Sequence, residues 1–86
     1  MASYEVRFKK SVAKDLSPIS RKDVQRILSA IRSLADNPRP SQSQKLSGSE
    51  RYRLRSGGYR ILYEIEDAIL VVCVVKIGHR KDVYRD

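Results

Sequence analysis

The sequence predicts an α+β domain: a helical hairpin packed on one face of a mainly antiparallel, twisted four-stranded sheet, in the order β-α-α-β-β-β. Three observations predict it. Residues 51–66, RYRLRSGGYRILYEIE, form two runs of period two joined by Gly57-Gly58. Period two is strand spacing, and glycine supplies the positive φ that a tight hairpin turn needs. Next, Val24, Ile27, Leu28, Ile31 and Leu34 make a stripe of helical period, opposite Arg21, Lys22, Arg26 and Arg32. Last, Ile69 to Lys76 is apolar on both faces, the pattern of a central strand.

The elements follow in order. Tyr4 to Phe8 alternates and reads as a first strand, with Tyr4 and Phe8 as core residues. Lys9 to Leu16 reads as helix, with Phe8, Val12 and Leu16 four apart, until Ser17-Pro18 interrupts it. Ser20 is the N-cap of the second helix, which ends near Asn37 because Pro38 and Pro40 follow. Residues 38–49 are rich in Pro, Ser, Gln and Gly and read as a loop, anchored to the core by Leu46. After the hairpin, a turn at Glu66 to Ala68 leads into the last strand. Leu70, Val72 and Val74 then face the helices, and Val71, Cys73 and Val75 floor the opposite side. Gly78 breaks this strand, and the tail from Ile77 to Asp86 folds back beside the hairpin. No repeat or linker appears, so residues 1–86 read as one domain.

The turn sets the register. With Gly57 and Gly58 as loop residues, Ser56 pairs with Tyr59, Arg55 with Arg60, Arg53 with Leu62 and Arg51 with Glu64. Opposed residues share a sheet face. Arg51, Arg53, Arg55 and Arg60 therefore project from one face. Tyr52, Leu54, Tyr59, Ile61, Tyr63 and Ile65 project from the other, towards the helices. Four guanidinium groups on one face repel, unless an anion sits among them. A solvated face with Glu64 pairing Arg51 is the plainer alternative.

Lysine and arginine total 18 against 10 acids, a net charge of +8 over 86 residues. That balance suits a polyanionic partner, nucleic acid first and a membrane surface second. No basic helix with a broad apolar face supports the membrane. Ala68 to Val75, the longest apolar run, is far short of a bilayer span, and no signal peptide is visible. Cys73 stands alone in an apolar strand and reads as a small core residue; with one histidine it makes no zinc site. The expectation is a cytoplasmic protein with no cofactor and no metal.

The element order, Lys45-Leu46, R-x-R-L-R-S-G-G-Y-R-I-L-Y, a valine-rich strand and a terminal G-H-R-x-D-V-Y together resemble the RelE family of toxins, over nearly the whole chain. The resemblance implies a toxin of a type II toxin-antitoxin system. Such a toxin is a ribosome-dependent, metal-independent mRNA endonuclease that cuts in the A site. Its partners are a cognate antitoxin, mRNA on the ribosome and rRNA. It also implies site residues: Arg51 and Arg53 before the turn, Arg60 after it, then Arg80 and Tyr84 at the end. The best-known pattern has lysines at the first two positions. Arginine there is not equivalent, because a guanidinium does not accept a proton.

RNA cleavage without metal uses the 2′-OH to attack the adjacent phosphate. It needs a base at that hydroxyl, cations around the phosphorane and an acid at the leaving 5′-oxygen. Arg53 and Arg60 are assigned to the scissile phosphate, Arg51 to the phosphate or the attacking oxygen, and Arg80 to the leaving oxygen. Tyr84 stacks on a base or orients the 2′-OH. The base stays open between His79, Tyr84 and catalysis without a strong base. Arg55, at the turn, has a secondary electrostatic role. Two alternatives remain on the same fold: a ParE-type poison of DNA gyrase, and a non-catalytic module binding nucleic acid or an antitoxin.

Overall fold

The computed structural model describes residues 3–79. Its strands are β1 (Glu5–Phe8), β2 (Ser43–Lys45), β3 (Arg51–Ser56), β4 (Tyr59–Glu66) and β5 (Val71–His79); its helices are α1 (Ser11–Leu16) and α2 (Arg21–Ser33). The strands form one mixed sheet of order β1-β5-β4-β3-β2, parallel only between β1 and β5. First and last strands thus lie side by side, and β5 is interior, as its two apolar faces require.

Ser20 caps α2 by accepting from the Asp23 amide at 3.3 Å. The helix stops at Ser33, short of Asn37, and single turns carry the chain to the prolines. Val12, Ile27, Ile31 and Leu34 from the helical layer meet Leu54, Ile61, Tyr63, Val72, Val74 and Ile77 from the sheet in one core. Burying each such aliphatic side chain contributes roughly 1.5–3 kcal/mol. Asp15 fastens α1 to the sheet by accepting from the Ile77 amide at 3.0 Å. Phe8 is corrected: it is 46% exposed at the end of β1, while Tyr4 packs against the core.

Among the described residues the sheet has five strands, not four. Ser43–Lys45 pairs with β3 inside the segment read as loop. Three polar residues carry no periodic signal, so nothing local announces this edge strand. The turn before it makes it: Pro40 carbonyl accepts from the Ser43 amide at 2.9 Å and its hydroxyl at 2.7 Å. Leu46 packs with Leu62, Val75 and Cys73 on the side away from the helices, so its anchor is that smaller cluster and not the main core.

The β3–β4 register is the predicted one at every pair from Arg51–Glu64 to Ser56–Tyr59. Gly57 has φ +60° while Gly58 has no positive φ, which fits a hairpin turn with glycine at its first loop position. Two predictions about β5 are corrected, while the sides read for Val71 to Val75 hold. Leu70 adopts φ 54° as the left-handed residue closing a 3₁₀ turn at Asp67–Ile69, and is 38% exposed instead of facing the helices. Gly78 does not break the strand, which runs on to His79. The parity also changes midway: Leu62 pairs with Lys76 but Tyr63 with Val74, so Val75 is an extra, bulged residue. Beyond the bulge Ile77 turns into the core and Lys76 takes the side of Leu62.

Candidate nucleic-acid interface

The hairpin register puts Arg51, Arg53, Arg55 and Arg60 on the sheet face away from the helices. Arg55 and Arg60 are directly opposed, with Cα atoms about 4.5–5.5 Å apart, and Arg53 is the diagonal neighbour of Arg60 at roughly 7–8 Å. At those spacings flexible guanidinium groups can converge on one phosphate. Arg60 is only 4% exposed, its Nη1 donating to the Tyr59 carbonyl at 3.4 Å. Opposite it on β5 stands Gly78, so no β5 side chain crowds it at that register position. Leu62 and Val75, with Leu46 and Cys73, give the arginine side its apolar floor. A floor of this kind keeps water from one side of the cations and strengthens their field.

Two of the other three arginines are held from the rim. Arg51 Nε donates to Glu64 Oε2 at 3.2 Å, which is the pair the register implies. Arg53 Nη2 donates to Gln44 Oε1 at 2.6 Å. Arg55 is exposed beside the turn. His79 is not brought to this cluster. It opposes Tyr59 on the helix side, ring centroids 5.8 Å apart and edge to face. The bulge is the reason, since it sets the parity of everything after Val75. Arg80 and Tyr84 lie outside the described residues. Tyr63 is fully buried, while Tyr52 and Tyr59 are partly buried against the same core; all three belong to the helix side.

The sequence reading missed the supports of the site. Arg39 Nη2 donates to Asp67 Oδ2 at 2.8 Å and Arg39 Nε to the Tyr52 hydroxyl at 3.0 Å, while the Tyr4 hydroxyl donates to Asp67 Oδ1 at 2.7 Å. The hydrogen bond from Arg39, then that from Tyr4, holds the Asp67 carboxyl below the usual carboxylate range. The same bond to Asp67, followed by that to Tyr52, raises Arg39. Tyr63 stacks on Tyr52 at 5.7 Å and donates to the Pro38 carbonyl at 2.7 Å; burial pushes its phenol up. These contacts clamp residues 38–40, and through them β2 and Gln44. Their partners are distant in sequence, and no local spacing links them. Gln44 left one trace, its two-residue spacing from Gln42.

No group of three or more histidine, cysteine, aspartate or glutamate side chains that could hold a metal ion occurs among the described residues. No helix among them is long and apolar enough to cross a membrane.

A small mixed sheet with helices on one face and clustered arginines on the other defines a class of compact toxin domains. Residues 6–84 match the family model described as the ParE toxin of the type II toxin-antitoxin system parDE, and the chain belongs to that family within the RelE/ParE superfamily. It is 30% identical to a RelE-like toxin protein of Escherichia coli, over 94% of this chain and 90% of the relative. It is 31% identical to toxin RelG of Mycobacterium tuberculosis, over 95% and 97%. Among solved structures, a chain of the archaeal RelE–RelB complex from Pyrococcus horikoshii superposes with TM-score 0.82 at 28% identity, covering 93% of this chain and 98% of that one. A chain of the intact E. coli RelBE toxin-antitoxin complex gives 0.76 at 26% identity, covering 90% and 96%.

Proposed function

We propose that this toxin is a ribosome-dependent mRNA endonuclease that works without a metal ion. It cuts mRNA in the A site and stops translation in the cytoplasm. The observation that carries the reading is the arginine cluster of the hairpin, with Arg60 buried at its centre. Burying a guanidinium beside a like charge opposes folding unless the group is stabilised by its surroundings or its ligand. A phosphorane fits that requirement, and preorganised donors aimed at developing charge are often the largest catalytic contribution.

In this reading the 2′-OH attacks phosphorus, the bond to the 5′-oxygen breaks, and a cyclic phosphate remains. Arg53 and Arg60 hold the non-bridging oxygens. Arg51, kept in place by Glu64, serves the phosphate or the attacking oxygen. Arg80 serves the leaving oxygen, and Tyr84 stacks on a base or takes the 2′-OH proton. Arg55 adds field. His79, turned towards Tyr59, takes no direct part. A cognate antitoxin keeps the chain silent in the cell, as the RelE–RelB complexes among its structural neighbours support.

The test is production of the chain alone, with mRNA 5′ ends mapped in the same cells. Cuts phased with codons are expected. Soluble protein with normal growth and intact mRNA overturns the reading. The family model's own description favours a second one, a ParE-type poison of DNA gyrase. DNA breaks with intact mRNA would select it.

A further inference from the structure

Beside the arginine cluster lies a groove of about 510 Å³, lined by Ser41, Gln42, Ser43, Gln44, Arg53 and Arg55. We infer that this groove binds the nucleoside next to the scissile phosphate, and that Gln44 reads its base through an outward amide N–H, favouring the keto bases guanine and uracil. The inference rests on the nuclease reading above and gives its site a base preference.

The argument starts from Arg53. A guanidinium only donates, so the Gln44 atom 2.6 Å from Arg53 Nη2 must be the carboxamide oxygen. Gln44 Nε2 is then at the other end of the planar amide, with donors to offer to the groove. Gln42 is arranged alike, its Oε1 accepting from the Ser41 hydroxyl at 3.3 Å. With Gln44 Oε1 accepting from Arg53, the groove is left the Gln44 amide N–H groups and the guanidinium donors of Arg53 and Arg55. Guanine offers acceptors at O6 and N7, and uracil offers O4, whereas adenine and cytosine carry an amino group at the corresponding position, which meets these donors head-on, and adenine keeps only N7 as an acceptor on that edge. Single-stranded bases are read along such edges.

Position and support agree with this assignment. Arg53 belongs both to the phosphate cluster and to the groove wall, so a phosphate held by it places the adjoining nucleoside at Gln44. The volume lies within the usual range for small-ligand sites, roughly 300–1,000 Å³. Arg55, on the same wall, offers a flat guanidinium for stacking. The segment is built and not merely exposed: Pro40 and Ser43 close its turn, and the Arg39–Asp67 pair ties its start to the far end of β4.

Gln44→Glu tests the inference directly. It keeps an oxygen for Arg53 and replaces the outward donor by an acceptor. Single-turnover cleavage is measured on ribosomes programmed with four mRNAs that differ only at the base next to the cut. The parental protein should favour guanine and uracil, and Gln44→Glu should shift the ratio towards adenine and cytosine by about fivefold or more. An unchanged ratio, with Gln44→Ala slowing all four mRNAs equally, would mean that Gln44 only holds Arg53, and the inference fails. A second measurement needs no cleavage. Titration of the parental protein with 2′-deoxy dinucleotides should move the Gln44 side-chain amide resonances, most strongly for the keto bases. If the parental protein binds in this way but cuts nothing, the groove stands and the nuclease reading falls. No shift with any dinucleotide overturns the groove.

Discussion

Arg60 sits at 4% exposure directly across from Arg55, two like charges on one sheet face. On the proposed function, Arg60 of this pair holds the scissile phosphate. Arg60→Ala should slow single-turnover cleavage on programmed ribosomes by a factor on the order of a hundred or more, the scale of losing one preorganised donor. Ribosome binding should change little, since many cations share it. Arg60→Met separates binding from folding: a melting temperature of the isolated protein close to the parental one leaves the slower cleavage to the lost charge. Calorimetry reads that directly, and a fall of many degrees would make Arg60 a structural residue. Arg55→Ala should affect the rate far less. His79→Ala should leave it near parental, because the imidazole faces Tyr59. A large loss with His79→Ala and unchanged ribosome affinity would reinstate it as the proton acceptor.

Among the elements, β2 depends most on its surroundings. Its residues are polar, and its place is fixed by the clamp of Tyr63, Pro38, Arg39 and Asp67. Pro38 is buried, so Tyr63→Phe strands its carbonyl and should destabilise the fold by about 1–3 kcal/mol in urea titration. The Arg39–Asp67 pair adds a pH signature. Asp67 is depressed in the folded state, so its contribution is complete above the ordinary carboxylate range and is lost as pH falls through its lower folded value. Asp67→Asn should therefore lower the melting temperature at pH 7. The gap to the parental protein should shrink as the buffer is taken below that range. A gap independent of pH would show that geometry, not charge, holds the clamp.

For the whole molecule, a net charge of +8 and one arginine-bearing face govern encounters. Ribosome affinity should fall steeply with added salt, and less steeply once Arg53 and Arg55 are both replaced. An equal slope in the double variant would put the contact elsewhere. The antitoxin should be acidic or amphipathic where it touches this chain, and should cover the arginine face or displace the tail. A hydrogen-exchange footprint of the complex checks this. Protection confined to the far end of the domain, with cleavage still blocked, would exclude both modes.

The hairpin was legible from its residues alone. Alternation, Gly57-Gly58 and the resulting register placed four arginines on one face, because a two-residue turn leaves a ladder no freedom. The α2 stripe and its Ser20 cap were equally local. What escaped depended on contacts between distant segments. Phe8 is exposed although apolar, because β1 lies at the sheet edge. The bulge at Val75 turns His79 away from the arginines, and no feature of V-V-C-V-V-K marks which residue is extra. β2 and Gln44 exist as parts of the site only because Arg53 and the Pro40 turn receive them. By itself the sequence determined the family, the hairpin and its charge, since those follow from periods and turns. Tertiary structure decided which side His79 takes and that Gln44 stands beside Arg53, since those follow from where two strands happen to slip and meet.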